Sequence, residues 1–125
     1  MTVGRAKDSC EITIIDTPPG GSDLLQEAID SADVIIVPTS PSPLDVQRVW
    51  KTLEATAAKP TGVLLTNTEP HTTLLSDTRS IFDEENIFVF DTMIPKRQAI
   101  KRSMGTLPDD LYGYDILFDE VMEAI

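Results

Sequence analysis

One cysteine, one histidine and one tryptophan occur among 125 residues, and each scarcity closes a class of function. A lone thiol, Cys10, has no internal disulfide partner, and without a nearby histidine it does not read as a nucleophile. His71 stands in the polar loop "EPHTT" with no second histidine or cysteine at ligand spacing, so it reads as a solvated surface residue and not a metal ligand. Basic residues are few as well: 10 Lys and Arg face 21 Asp and Glu, for a formal charge of -11. That balance excludes a generally basic nucleic-acid binder and keeps the chain soluble without identifying a partner. No apolar run is longer than four residues, so no segment reads as a membrane span, and no charged start followed by an apolar stretch resembles a signal peptide. A single cytoplasmic domain over residues 1–125 is the expectation.

What the chain does have is a regular alternation. The apolar runs "ITII" (12–15), "VIIV" (34–37), "VLL" (63–65) and "IFVF" (87–90) begin 22 to 29 residues apart, the spacing of strand-helix units. Between them, 23–32 places Leu25, Ala28, Ile29 and Ala32 on one stripe, and 43–56 does so with Val46, Val49, Trp50 and Leu53. Ser42 as N-cap, Pro43 at the first helical position and Asp45 in the first turn mark the start of the second helix. Further helices are predicted over 74–85, with Leu74, Thr78, Ile81 and Phe82 inward; over 96–104; and over 112–125, with Phe118, Val121, Met122 and Ile125 on one side. The stretch "GTLPDDLYG" (105–113) breaks the last two. Buried-type strands alternating with amphipathic helices predict an α/β fold, a doubly wound, mainly parallel sheet with flanking helices.

The first strand leads into "IIDTPPGG" (14–21), a carboxylate at a strand's carboxyl end followed by a stiff turn and then backbone without side chains. In open α/β sheets that edge is where ligands bind, so Asp16 marks a candidate phosphate or metal site.

Four segments in order, "IIDTPPG", "DVIIVPTSPSPLDVQRVWKTLE", "GVLLTNTEP" and "MIPKRQAIKRSMGTLP", resemble the successive motifs of the ParA/MinD superfamily, ATPases that partition plasmids and chromosomes or place division sites. The resemblance spans roughly residues 11 to 108 and implies a partial P-loop NTPase fold, ATP and Mg²⁺ as cofactors, and plasmid or chromosome segregation through ATP-dependent dimerisation and non-specific DNA binding. By that likeness Asp16 matches the acid that holds Mg²⁺ through water, a role suited to a hard cation shared with phosphates. Thr17, Pro18 and Gly20 fall in the switch turn, Gly20 with its N–H toward the γ-phosphate. Asn67 matches the asparagine at the adenine edge, Pro95 falls where backbone lies along the base, and Asp45 belongs to a segment near the dimer interface. A homodimer and a centromere-binding ParB-like protein are the partners that the likeness implies.

The chain departs from that family in one respect. Its glycines stand at 4, 20, 21, 62, 105 and 113, and no K-G-G-x-x-K-[ST] loop occurs, so the N–H groups and lysines that cradle phosphates are missing from the sequence. The expectation is therefore a ParA-like domain without catalysis of its own, whether by truncation, by a mispredicted start or as a pseudo-ATPase. Lys96, Arg97, Lys101 and Arg102 cluster while 106–125 holds six acids and no base. In the family late helices of this kind bind DNA backbone, so these four are candidate DNA contacts, Arg97 and Lys101 being four apart on one face of the expected helix. The competing reading is a solvated helix face paired to the acidic tail. Two other classes stay open: a non-catalytic interaction module, and a MinD-like or bacterial tyrosine kinase relative. "YGY" at 112–114 only faintly echoes the kinases' tyrosine-rich tail, and the acids of the last helix oppose an anionic membrane.

Overall fold

In a computed structural model the described residues are 11–17, 23–103, 105–107 and 109–124. Five helices and two strands follow in the order α1 (Asp23–Ser31), β1 (Ile35–Thr39), α2 (Pro43–Ala55), β2 (Thr61–Leu65), α3 (Thr73–Glu84), α4 (Gln98–Arg102) and α5 (Tyr114–Ala124). The fold is thus mixed α/β with a small parallel sheet, β1 pairing β2 from Ile35↔Thr61 to Thr39↔Leu65. The N–H of Ile35 donates to Pro60 O at 2.8 Å and that of Thr66 to Thr39 O at 2.9 Å. In a parallel ladder alternate residues face the same neighbour, so Ile36 and Pro38 turn their main chains to the open side. Pro38 therefore costs no ladder bond, and a proline is tolerated inside this strand.

β2 is buried on both faces, and alternate side chains enter different layers. Val63 and Leu65 join Val37, Val46 and Val49 from β1 and α2 and Leu75 and Phe82 from α3. Leu64 points the other way, into a second cluster with Phe90, Ile94 and Leu117 of α5. Trp50 packs on the first cluster, its ring tilted at 48° against Phe82 with centroids 5.4 Å apart, the core role its stripe predicts.

The run 87–90 lies parallel to β2 without forming a named strand. Val63 N–H donates to Phe88 O and Phe90 N–H to Val63 O, each at 2.9 Å, but the next contact is Ile94 N–H to Leu65 O. Four residues on one side thus match two on the other, and the surplus turns out at 91–93. Side chains from two helices hold that turn: Arg79 Nη2 of α3 donates to Phe90 O at 3.0 Å, while Glu120 of α5 accepts from Asp91 N at 2.8 Å and Thr92 N at 3.1 Å.

Burial pushes Glu120 up, but the Asp91 and Thr92 amides, the Thr92 hydroxyl and the charge of Arg79 outweigh it and hold the carboxyl below the ordinary glutamate value of 4.5. A folded-state pKa below the unfolded one contributes stability that is complete above the unfolded value and is lost as pH falls through the folded one. Glu120→Gln is accordingly expected to cost about 1 kcal/mol at neutral pH and nothing measurable once the Glu120 carboxyl is protonated in both the folded and the unfolded chain. Urea melts at neutral and acidic pH check this; an unchanged gap between variant and parent across that range would refute it.

Two helices settle differently from their sequence patterns. In α3 Thr78 and Phe82 are buried as expected, but Leu75 is buried with them while Leu74 and Ile81 are exposed. Both sets have helical spacing, and the larger Phe82, fully buried against Trp50, decides the rotation. In α5 it is Leu117 that is buried, with Val121 partly so, and Phe118 and Met122 stand half exposed. Ile125 lies outside the described residues. α4 is shorter than the expected 96–104, because Lys96 N–H still donates to Thr68 O at 2.9 Å and Arg97 keeps extended backbone. Helix starts only where that ladder ends.

Candidate functional site

The carboxyl edge of the sheet gathers residues that are distant in sequence. Past β2 the chain passes through Asn67, exposed and at φ 53°, a left-handed conformation that asparagine tolerates better than most residues. Thr68 then bridges in parallel to Pro95. Its N–H and Oγ1 both donate to Ile94 O, at 3.1 and 3.2 Å, and its carbonyl receives the N–H of Lys96. Asn67 and Pro95, the two residues that the resemblance assigns to a base, are thereby held one residue out of register on neighbouring segments.

At the end of β1 lies a cluster of which the sequence pattern marked the helix cap, Ser42 and Asp45, but not Ser40. Ser42 is the N-cap of α2 and its Oγ accepts from Asp45 N at 3.3 Å. Ser40 Oγ donates to Asp45 Oδ2 at 2.5 Å and lies 3.2 Å from Ser42 Oγ. The hydroxyls of Ser40 and then Ser42 hold Asp45 below its ordinary value; slight burial opposes them, and Arg48, at 3.8 Å, adds to the lowering. A carboxylate so stabilised is a poor base at neutral pH, and Ser40 spends its proton on it, so the pair stiffens the helix start and does not supply a nucleophile. The signal was present in "TSPSPLD", where a second serine precedes the N-cap by two residues. Beside the cluster an open cleft of ≈ 400 Å³ runs between β1 and α2, with Ser40, Arg48, Thr52 and Thr66 among its walls.

The first expected strand is absent. Residues 13–17 form no regular element, Ile14 is 89% exposed, and Asp16 and Thr17 are exposed. A strand exists only beside a ladder, so hydrophobicity alone does not fix "ITII" in the sheet. Asp16 consequently does not stand at a strand end. Pro18 and Gly20, like Cys10, lie outside the described residues. His71, at φ 64°, is exposed as its loop predicts.

Of the basic cluster, Lys96 Nζ pairs with Glu69 at 3.4 Å, both partners well exposed, a contact of small energetic weight. Arg97 is the N-cap of α4 with φ -141° and ψ 132°, so it does not share a helical face with Lys101. Lys101 and Arg102 occupy the last turn, exposed, and neither joins an ion pair to the acidic tail among the described residues. Among those residues no group of three or more acidic, His or Cys side chains could hold a metal ion, and no helix is long and apolar enough to cross a membrane. No family model and no curated protein matches the sequence.

Proposed function

We propose that the chain is a ParA-like domain of a doubly wound, P-loop-derived architecture, which serves DNA segregation in a nucleotide-dependent assembly and does not turn over ATP alone. The observation that carries this is the Thr68–Pro95 bridge, which brings Asn67 and Pro95, two positions 28 apart in sequence and singled out by the resemblance, within one residue of register on neighbouring segments. Parallel β1 and β2 with α2 between them and the 88–96 segment beyond α3 are in keeping with that ancestry. The described residues fit one end of a nucleotide. The exposed Asn67 amide can offer a donor and an acceptor to the edge of a base, whereas Ile94 N–H, Ile94 O and Lys96 N–H are already bonded to Leu65 and Thr68 and Pro95 has no N–H. The phosphate end does not fit: Asp16 is exposed and outside the sheet, no other acid is grouped with it, and the sequence has no glycine-rich cradle. No hydrolytic step is therefore assigned to this chain, and Mg²⁺ would have Asp16 alone, through water.

The test is biochemical. Phosphate release by the purified chain is expected to equal that of Asp16→Ala, a change at an exposed position with little effect on folding. A separate polypeptide supplying a strand, a K-G-G-x-x-K-[ST] loop and a helix is expected to bind the open edge of β1. It should then confer adenine-nucleotide binding that Asn67→Ala weakens by about tenfold, as loss of one hydrogen-bonded base contact would. Failure of the loop-bearing polypeptide to bind, or nucleotide binding indifferent to Asn67, would remove the proposal. Hydrolysis by the chain alone above the Asp16→Ala level would remove its catalytic half.

A further inference from the structure

Helix α5 is anchored by Leu117, which is 6% exposed, with Val121 packed beside it on the Leu64, Phe90 and Ile94 cluster, and by Glu120 on the 91–92 amides. At about 100° per residue, Tyr114, Phe118 and Met122 form a row along one flank of that buried stripe. They are 45%, 49% and 44% exposed. Continuing round the helix, the next row is Asp115, Asp119 and Glu123, all exposed, on a stretch with no base between residues 106 and 125. Eight residues separate the ends of each row, about 12 Å of helix, so an apolar strip two turns long is bordered along its whole length by carboxylates.

From this juxtaposition we infer that the Tyr114, Phe118 and Met122 flank of α5 is a docking surface for a basic amphipathic helix of another protein. The partner's apolar side chains lie on the three-residue strip, and its Lys and Arg face Asp115, Asp119 and Glu123. Single exposed apolar residues need no explanation, but an aligned row continuous with the core is what an incoming helix extends. The charge pattern selects the occupant. A symmetric pair of these chains meeting through this flank would set one acidic row against another, with -11 formal charge on each, so a second copy is disfavoured. An anionic bilayer is repelled for the same reason. The inference is independent of the nucleotide reading, since it uses no residue of the carboxyl edge.

The probe is a synthetic amphipathic peptide of about 15 residues, long enough for a helix, with leucines on one face flanked by Lys and Arg. Its control carries Glu at the flanking positions. Fluorescence anisotropy with the full chain is expected to show the basic peptide binding about tenfold or more tighter than the control. Reversing the row with Asp115→Lys and Asp119→Lys, both exposed and so tolerated by the fold, is expected to invert that preference. Phe118→Ser with Met122→Ser is expected to weaken the basic peptide by about tenfold, with the thermal melt reporting retention of the fold. Equal affinity for the two peptides, no binding of either, or a preference that survives charge reversal would overturn the inference. So would sedimentation showing self-association that Phe118→Ser abolishes, which would give the surface to a second copy.

Discussion

Random-sequence duplex DNA is expected to bind the chain weakly at low salt and to dissociate with a modest rise in ionic strength. With contacts confined to Arg97, Lys101 and Arg102, counterion release sets a log-log slope of about -2.7, or a loss of about 40-fold between ~50 and ~200 mM salt. The formal charge of -11 opposes the approach, so only local phosphate contacts favour it. Lys96 adds little, being paired with Glu69. Arg97→Glu with Lys101→Glu is expected to abolish binding without unfolding, since both side chains are exposed and such changes shift stability by about half a kcal/mol. Removing the acidic tail outright is a poor test of whether it shields this cluster, because Leu117 and Glu120 hold the second core and the 91–93 turn. Neutralising Asp115, Asp119 and Glu123 to their amides keeps those contacts and is expected to strengthen DNA binding. An anisotropy titration over a salt series decides: no binding by any of these forms at low salt, alone or with nucleotide and the loop-bearing polypeptide, eliminates the DNA role.

Gly62→Ala is expected to destabilise the fold by about 2 kcal/mol, within the range for overpacking a core, and larger residues by more. A Cβ there would stand 2.5 Å from Phe90 Cε2, 2.7 Å from its Cζ and 3.1 Å from Phe88 Cδ1. The Phe90 ring has little freedom to retreat. It is 2% exposed, its backbone is pinned by Val63 and Arg79, and it meets Phe88 edge-on at 5.3 Å. Phe90→Leu in the Gly62→Ala background is expected to recover part of the loss by opening the same volume. Denaturant melts of the two single variants and the double give the coupling; strict additivity would show that the ring and the missing Cβ do not compete.

Local residue chemistry carried much of the secondary structure. The Ser42-Pro43-Asp45 start of α2, the Ala28 and Ile29 stripe of α1 and the turn chemistry around Gly105 and Gly113, both at positive φ, depend on near neighbours and were legible for that reason. The candidate site was legible in part. Asn67 and Pro95 were singled out by motif, but their adjacency follows from the Thr68 bridge, a contact between segments far apart in the chain. The coupling of Ser40 to Asp45 was not legible, because a hydroxyl's chosen partner is not encoded by spacing alone.

By itself, then, the sequence determined which segments are helical, where β1 and β2 run and that they alternate with helices, because those properties follow from periodicity, caps and β-branched runs. Tertiary structure alone decided three things. Rotation of α3 and α5 buried Leu75 and Leu117 and left Leu74, Ile81, Phe118 and Met122 outward, since two rows of equal spacing differ only in what they meet. α4 was shortened because Lys96 is still bonded to Thr68 across the sheet edge. Residues 12–15, as apolar as β1, stayed outside the sheet, because a strand is made by the backbone beside it and not by its own side chains.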